Sequence, residues 1–526
     1  MSIAERTSGI AARPRALPGV RALNLRTALL VGGICLIPIA LYAPFYTEPF
    51  ARDEGFYAAA AQGMLHHGQV PYRDFFDNKP PLVFCWYAFS FLLFGQHVWA
   101  PRVVVSVLVS LATLCVYLTG RQLYSPRGAS VAALIFACSI SFTKLEINGN
   151  TEFFMLLPMS AGFLAFTRAT KTGSRWMYFL AGVAGGATVL TKTIYALPMV
   201  FLFCYAVWAR RPERSWSGVL KVEAWGRPAL MVAGSLLLLM VVSAPIVLSG
   251  ALWDMLDALT YYSLIYSSDV TWGYRAYAVA ILPLFLLVVV GPLLLLAAGG
   301  SVLALRGENR AQGIMLVGWL LAGLASIMVV GRYYHHYFAA LLPAAALVSA
   351  PAVLWMLERR KTLLVKVLLG GVLPLVAMSP LSYTVKAYFQ PNAAQRHAAK
   401  FGVGLEGNWE LLSPALGQWL KENSQPGDRI YNLGFESQLY FYSGRTSPTR
   451  FYFDHAFALD KKYESEALRD LAADPPALVV DSAKYEGNKH AMNYYSEPIH
   501  DWIAANYDYV GFIEFADVWR LKQAAQ

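Results

Sequence analysis

The sequence FARDEGFYAAAAQGMLHHGQVPYRDFFDNKPPLVFCW, residues 50–86, is a highly charged connection in an otherwise apolar chain. It carries an acidic pair, Asp53-Glu54, and a lysine, Lys79, that precedes two prolines. Ionisable residues close to lipid are costly and rare unless they serve a function. We therefore expect this loop to hold the chemistry and the neighbouring helices to position the loop.

The composition places most of the chain in a membrane. Hydrophobic residues make up 57% of the 526 residues and charged residues only 14%. Apolar runs close to the ~20 residues that a spanning helix needs recur along roughly the first 380 positions. The predicted runs lie at 27–46, 82–96, 100–120, 129–143, 153–168, 177–191, 194–209, 229–249, 276–299, 313–331, 337–357 and 362–381.

Charge sets the expected orientation of these segments. The net charge of +10 comes from basic residues in short loops between apolar runs, which is typical of cytoplasmic loops and does not indicate a nucleic-acid-binding face. The basic loops fall on one side only if the short run at 82–96 lies in the interface, which leaves about eleven crossings. This alternation predicts a cytoplasmic tail at 1–26, a transmembrane domain at 27–381 whose first outer loop is 47–81, and an outer domain at 382–526.

From about Tyr383 the composition becomes that of a soluble domain. Helical and strand-like patterns alternate there, which predicts a small α/β domain. The predicted elements are helices near 409–423 and 461–473, strands at 429–433 and 477–480, and two strands within 507–521 around a turn at Ala516-Asp517.

Two compatible interpretations apply to the acidic pair. Asp53 is a candidate N-cap for a helix that runs through His67, with Glu54 adding favourable charge to the first turn. A carboxylate fixed at the water boundary in this way could also accept a proton from an acceptor hydroxyl. Repulsion by Glu54 would then raise the pKa of Asp53.

The segment Lys79-Pro80-Pro81 is the more specific signal. Two prolines end a helix and stiffen the backbone, so they fix the direction of the lysine. A lysine that only snorkels from an interface is common and carries no function. A lysine held opposite an acidic pair in the same loop instead suggests a phosphate at the depth of the lipid headgroups.

Other polar groups lie at the outer ends of predicted spans. Glu152 opens one span behind Asn150 and Thr151, either of which is a candidate N-cap. Lys192 lies at the outer end of another helix. Polar groups thus gather on one face of the membrane domain and not along a path through it.

The sequence contains no set of metal ligands. Adjacent histidines on a helix point about 100° apart and do not easily share an ion, which argues against His66-His67 and His335-His336. The five cysteines have no CxxC spacing and lie in or beside apolar runs, as small buried hydrophobes do. We therefore predict no metal site and leave dependence on a divalent metal open.

Taken together, these residues resemble the lipid-carrier-dependent integral-membrane glycosyltransferases of the GT-C fold. The similar branch includes the aminoarabinose transferase of lipid A and relatives of the protein O-mannosyltransferases. The motifs that carry the resemblance are Asp53-Glu54 with Tyr57, Lys79-Pro80-Pro81-Leu82 with Trp86, Leu190-Thr191-Lys192, His336-Tyr337 with Leu342-Pro343, Pro426-Gly427-Asp428, Gly434, Tyr440 and Ser443-Gly444-Arg445. The resemblance implies a polytopic α-helical protein of the bacterial cytoplasmic membrane, with a cytoplasmic N-terminus and a C-terminal periplasmic α/β domain.

The resemblance also implies roles for single residues. Asp53 resembles the catalytic carboxylate of the family, and Lys79 resembles its ligand for the carrier phosphate. Glu152 resembles the second acidic position, and Tyr337 resembles a tyrosine on the phosphate side. Glu54 is expected to support catalysis beside Asp53.

The cations expected on the phosphate side match the family less completely. Lys192 is expected to bind the donor phosphate with Lys79. Phe56 departs from the aminoarabinose branch, which has an arginine at that position. The later phosphate-binding arginine of that branch has no clear counterpart, and Arg275 and Arg332 are candidates by location. The identity of the sugar is therefore left open.

The implied function is an inverting glycosyltransferase. It would move a sugar from a polyprenyl-phosphate carrier to an envelope acceptor on the periplasmic face: lipid A or lipopolysaccharide, another glycan, a lipid or a protein. Its partners would be the lipid-linked donor, the acceptor and the membrane, without nucleic acid. The alternatives are an O-antigen ligase or polymerase, and a transporter or flippase of lipid-linked sugars, which should place ionisable residues near mid-membrane.

Overall fold

The computed structural model describes residues 24–142, 148–212, 215–359, 409–483 and 496–523, with short pieces between 361 and 396. Apolar helices form the first part and a small α/β domain forms the second. The helices of the first part are α1 Leu25–Tyr42, α2 Arg52–His66, α3 Leu82–Phe94, α4 Trp99–Leu123, α5 Pro126–Ser139, α6 Thr151–Phe154, α7 Leu156–Thr172, α8 Arg175–Thr191, α9 Ala196–Arg210, α10 Val222–Trp225, α11 Ala229–Leu248, α12 Leu252–Leu256, α13 Ser263–Ser268, α14 Trp272–Arg306, α15 Arg310–Val330 and α16 Leu342–Glu358.

The apolar helices lie within a few residues of the predicted runs. By length and composition, seven helices among the described residues could cross a membrane. The other four predicted spans are α5, of 14 residues, α8, of 17 residues, α14, in which some side chains lie outside the described part, and 362–381, which lies almost entirely outside it. The mostly helical membrane architecture predicted from composition is confirmed.

Helix α3 is a separate, short element. It has 13 residues and ends where Gly95 adopts a φ of 78°, a conformation that favours glycine. At 1.5 Å per residue it extends about 20 Å, less than the ~30 Å of a bilayer core. This length agrees with the interpretation of residues 82–96 as an interfacial segment.

The second part folds around a four-stranded sheet with the order β1-β2-β4-β3. Strands β1 and β2 are parallel, and β4 is antiparallel to both β2 and β3. Its elements are α17 Trp409–Glu422, β1 Ile430–Leu433, α18 Gln438–Ser443, α19 His455–Leu459, α20 Lys461–Ala473, β2 Leu478–Asp481, α21 Glu497–Asn506, β3 Tyr507–Ile513 and β4 Ala516–Leu521. The predicted α/β domain is confirmed.

The predicted position of the last turn is wrong. Ile513 pairs with Ala516, so the turn residues are Glu514 and Phe515, and Ala516 already belongs to β4. Glu514 adopts a φ of 58°, as tight hairpin turns require. Phe515 is buried, although it lies in the turn.

The α/β domain packs directly on the charged loop. Helix α18 lies against α2, where the Ser437 hydroxyl donates to the carbonyl of Arg52 at 3.3 Å. The amide of Phe76 donates to the carbonyl of Arg450 at 2.8 Å, and the Arg450 guanidinium donates to the carbonyl of Tyr72 at 3.2 Å. The loop is thus held between the two domains.

Substitution of Gly55 should loosen this contact. A Cβ atom at Gly55 would lie 2.2 Å from Gln438 Cβ and 2.7 Å from its Cα, so Gly55→Ala must push α18 away from α2. We expect the free energy of unfolding to fall by about 1–3 kcal/mol, as for overpacked cores, and the α/β domain to be proteolysed faster. Thermal unfolding and limited proteolysis in detergent would measure both. Gly33→Ala is the matched control, since no atom lies within 4 Å of that site, and equal behaviour of the two variants would contradict the prediction.

Candidate active site

The acidic pair lies at the start of α2, but Asp53 is not the cap. Ala51 is the N-cap residue, and its amide donates to Glu54 Oε2 at 3.1 Å. Because Glu54 satisfies this amide from inside the helix, the predicted capping role of Asp53 is wrong. Asp53 is exposed and lines a cavity between the two domains.

Glu54 points the other way and is fully buried. Arg102 of α4 donates to both carboxylate oxygens, at 2.9 Å to Oε1 and 2.6 Å to Oε2. The amide of Gly149 also donates to Oε1, at 2.6 Å. Glu54 is absent from the described side chains that line the cavity. Its contacts join α2 and α4 and fix the direction in which Asp53 points.

Lys79 is anchored at the opposite side of the loop. Its ammonium lies 3.3 Å from Asp77 Oδ1 and 3.1 Å from Asn78 Oδ1, and its carbonyl accepts from the Tyr72 hydroxyl at 2.9 Å. The Lys79 side chain keeps 20% of its surface exposed, whereas Asp77 keeps 5%. The lysine therefore has a fixed position and an open side.

Charge reinforces this arrangement. Burial alone would lower the pKa of the Lys79 ammonium, but Asp77 and Asp53 together raise it above its ordinary value. Burial raises the pKa of the Asp77 carboxyl, and Lys79 opposes that shift. Lys79 is therefore a permanent cation at the cavity, held by a carboxylate that is largely withdrawn from water.

The cavity has a volume of about 250 Å³ and receives side chains from both domains. Its lining residues are Arg52, Asp53, Phe56, Asp77, Asn78, Lys79, Lys192, Tyr262, Tyr266, Tyr334, His336, Tyr337, Phe435, Ser437, Phe453 and His455. It therefore brings together four of the seven predicted site residues: Asp53, Lys79, Lys192 and Tyr337.

A second, smaller cavity adjoins the first. It measures about 160 Å³ and shares Lys79, Lys192 and Tyr337 with the larger one. Apolar side chains, including Ile194 and Leu259, form part of its wall. The two lysines thus lie where a polar chamber meets a more apolar one.

Glu152 lies behind these cations. Its Oε1 atom is 2.8 Å from the ammonium of Lys192 and 3.9 Å from His336 Nε2, and Glu152 itself is fully buried. The Lys192 ammonium also lies 4.6 Å from the centre of the Tyr337 ring. Glu152 contacts the cavity wall and is absent from the described lining; the residue that reaches the chamber is Lys192.

Arg332 also lies behind the residues that line the cavity. Its Nη2 atom lies 3.1 Å from Asp269 Oδ2 and donates to the carbonyl of Tyr266 at 2.8 Å. Its guanidinium stacks 4.2 Å from the centre of the Tyr266 ring. Arg275, the other arginine suggested by location, donates to the carbonyls of Val329 and Ser267. Both arginines thus support the wall from outside the described lining.

The ionisable lining residues that were not assigned to the site from the sequence include Arg52, Asp77 and His455. Asp77 two residues before Lys79 was the only available signal. Arg52 pairs with Glu436 at 3.0 Å, a contact that no local pattern indicates.

Within the described ranges, no group of three or more His, Cys, Asp and Glu side chains is arranged to hold a metal ion. The pair His66-His67 lies at the end of α2, and neither residue lines the cavity.

Residues 78–247 match a family described as dolichyl-phosphate-mannose-protein mannosyltransferase. No curated protein matches the sequence. ArnT from Cupriavidus metallidurans, solved bound to undecaprenyl phosphate, matches with a TM-score of 0.60 at 15% identity, over 94% of this chain and 97% of that one.

A second solved structure shares the architecture. The archaeal oligosaccharyltransferase AglB from Archaeoglobus fulgidus, in complex with an inhibitory peptide and a dolichol-phosphate, gives a TM-score of 0.53 at 14% identity, over 95% of this chain and 74% of that one. At these identities the likeness establishes the fold alone, and the family match covers less than half of the chain. The chain is thus a multi-pass membrane protein with the GT-C fold, and its residues 78–247 match the dolichyl-phosphate-mannose-protein mannosyltransferase family.

Proposed function

We propose that the protein is an inverting glycosyltransferase that moves a sugar from a polyprenyl-phosphate carrier to an envelope acceptor on the periplasmic face. The acceptor is lipid A or lipopolysaccharide, another glycan, a lipid or a protein. One observation carries the proposal: the cavity joins an exposed carboxylate, Asp53, to a fixed ammonium, Lys79. These are the two groups that transfer from a phosphate leaving group requires.

The carrier phosphate belongs at the junction of the two cavities. Lys79, Lys192 and Tyr337 line both, and two ammonium groups and a phenol suit an anionic phosphate. The smaller, more apolar cavity then receives the first part of the lipid tail, and the larger cavity receives the sugar. Glu152 keeps Lys192 in place through the 2.8 Å ion pair.

Asp53 acts on the acceptor. The acceptor oxygen forms a bond to the anomeric carbon while the bond from that carbon to the phosphate oxygen breaks. The proton of the acceptor hydroxyl passes to Asp53, and the electron pair of the broken bond stays on the carrier phosphate. Lys79 and Lys192 stabilise the charge that grows there, so the cations contribute more than a general acid would.

The remaining predicted residues act through others. Glu54, held by Arg102, sets the direction of Asp53 and does not transfer a proton. Arg332 supports Tyr266, which lines both cavities. These two are therefore positioning residues in the proposed mechanism.

A transporter accounts less well for the charges. The buried pair Glu152–Lys192 lies at helix ends, in the first turn of α6 and at the C-cap of α8. Transporters instead need ionisable groups near the bilayer centre, where broken helices bind the substrate. An O-antigen ligase or polymerase would use a different acceptor and donor from the proposed enzyme. The transfer assay described next distinguishes these enzymes.

Sugar transfer by the purified protein in detergent is the decisive experiment. We expect the protein to release undecaprenyl phosphate from an undecaprenyl-phosphate-linked sugar only when an envelope extract supplies an acceptor, with the glycosylated product identified by mass spectrometry. A transporter has no membrane to act across in detergent and would give no product. An enzyme that elongates glycan chains would instead yield a ladder of masses.

A further inference from the structure

The outer domain supplies one wall of the larger cavity. This wall consists of Phe435, Ser437, Phe453 and His455. The rings of Phe435 and Phe453 are nearly parallel, at 12° with their centres 6.3 Å apart. The wall therefore presents aromatic surface and a few hydrogen-bonding groups on the side of the chamber formed by the soluble domain.

His455 is the residue of this wall whose chemistry is most defined. It begins α19 and is 4% exposed. Its Nδ1 atom lies 2.9 Å from the hydroxyl of Tyr262, which belongs to the membrane domain, and its ring meets Tyr266 edge-on at 5.4 Å. Two tyrosines of one domain thus fix the imidazole of the other.

The imidazole is neutral. Burial, together with the positive charges of Arg332 and Lys79, lowers the pKa of His455 to about 3. A neutral imidazole has one donor and one acceptor nitrogen. Because Tyr262 occupies Nδ1, Nε2 is the nitrogen left to a ligand in the cavity. A neutral group between two cations does not compete for phosphate and suits a hydroxyl.

The position of His455 indicates which ligand it meets. With the phosphate at the lysines shared by both cavities and the lipid tail on the side of Ile194 and Leu259, the group attached to the phosphate projects into the larger chamber. That group is the sugar of the donor. A sugar ring has hydroxyls at its edge and an apolar C–H face, which match an imidazole and an aromatic surface.

We propose that His455, with the Phe435 and Phe453 rings, binds the sugar of the lipid-linked donor and determines which sugar the protein accepts. This inference rests on the proposed glycosyltransfer and deepens it. It gives the soluble domain a direct part in donor selection, beyond covering the active face or presenting an acceptor.

The test compares donors whose sugars differ from glucose in the configuration of one hydroxyl, at C4 in galactose and at C2 in mannose. Undecaprenyl-phosphate-linked glucose, galactose and mannose are suitable probes for kcat/KM with the wild-type protein and with His455→Phe and His455→Gln. We expect His455→Phe to lower kcat/KM roughly 10-fold for the preferred sugar, as loss of a hydrogen bond to substrate does, and to reduce the preference among the three. His455→Gln should restore part of both, because its amide can reach the position of Nε2.

Binding of sugar-free undecaprenyl phosphate distinguishes an effect on the sugar-binding wall from an effect on the phosphate site. The affinity of both His455 variants for this lipid should stay within about twofold of wild type, since Lys79 and Lys192 are unchanged. His500→Gln is the matched control, because His500 belongs to the same domain, contacts Asp481 at 3.8 Å and lies outside the cavity lining. It should leave the sugar preference unchanged.

Several outcomes would overturn the inference. An unchanged preference in His455→Phe, an equal loss of affinity for sugar-free carrier, or a change confined to the KM for the acceptor would each do so. If His455→Phe fails to fold, Phe453→Leu tests the same wall and should also shift the preference. A wild-type protein that transfers no sugar from these donors or from the lipid-linked sugars of a native membrane extract, with acceptor present, would instead overturn the proposed function itself.

Discussion

Asp53→Asn should abolish transfer while the protein stays folded. The amide cannot take the proton of the acceptor hydroxyl, and general base catalysis contributes ~10²–10⁴-fold to such rates. Stability should fall little, because Ala51 is the N-cap and a first-turn charge contributes only about 0.3–1 kcal/mol. The measurement is the transfer rate at saturating donor, together with the thermal unfolding of both proteins in detergent.

Asp74→Asn is the matched control for this variant. Asp74 lies in the same loop and pairs with Arg73 at 2.9 Å, outside the cavity lining. It should retain nearly the full rate. Donor binding in Asp53→Asn should also stay close to wild type, since the phosphate is bound elsewhere. A variant of Asp53 that keeps more than about a tenth of the rate would remove it as the base.

Asp53 and Glu54 show which part of the site can be predicted from the sequence and which part cannot. Both carboxylates were expected in the site because they are adjacent. Consecutive helical residues, however, point about 100° apart, so a helix that aims Asp53 at the cavity must aim Glu54 elsewhere. The partner that receives Glu54 is Arg102, 48 positions away, and no local pattern indicates such a pairing.

The helices were more predictable than the site. The length of an apolar run and the basic loops beside it locate a spanning helix within a few residues, because every spanning segment must be apolar across the thickness of the bilayer core. The site depends on contacts between domains, such as Arg52 with Glu436 and Tyr262 with His455. Lys79 could be predicted because Pro80 and Pro81 follow it directly in the sequence. His455 has no such sequence signal, since its role depends on where the α/β domain packs.

Lys79 requires a more careful substitution than a single alanine. Asp77 is 4% exposed, and removal of the ammonium would leave its carboxylate buried without a counterion. Breaking a buried pair in this way costs about 3–5 kcal/mol, and somewhat less here because Lys79 is partly exposed. A slow Lys79→Ala protein could therefore reflect a distorted loop. The double variant Lys79→Ala/Asp77→Asn removes both charges and isolates the loss of the phosphate ligand.

We expect the double variant to bind the donor roughly 10- to 100-fold more weakly, the range of a lost charge-assisted hydrogen bond, and also to react more slowly. The second effect follows because negative charge on the carrier phosphate grows as the sugar leaves. Lys79→Arg should recover only part of the rate, since a planar fork replaces a compact ammonium in a pocket stiffened by Pro80 and Pro81. The measurement is the transfer rate against the concentration of polyprenyl-phosphate-linked sugar.

Lys461→Ala is the control for these rates, because Lys461 belongs to the α/β domain and its side chain is 61% exposed. If Lys79 merely snorkels at the interface, Lys79→Arg and the double variant should both transfer sugar at nearly the wild-type rate, because either side chain is tolerated there. Asp77→Asn alone separates the remaining cases. It leaves the Lys79 ammonium in place without its internal counterion, so a phosphate should bind at least as tightly as in wild type if Lys79 is its ligand. Donor binding that stays at the wild-type level in the double variant would instead assign the phosphate contact to another cation, with Lys192 first.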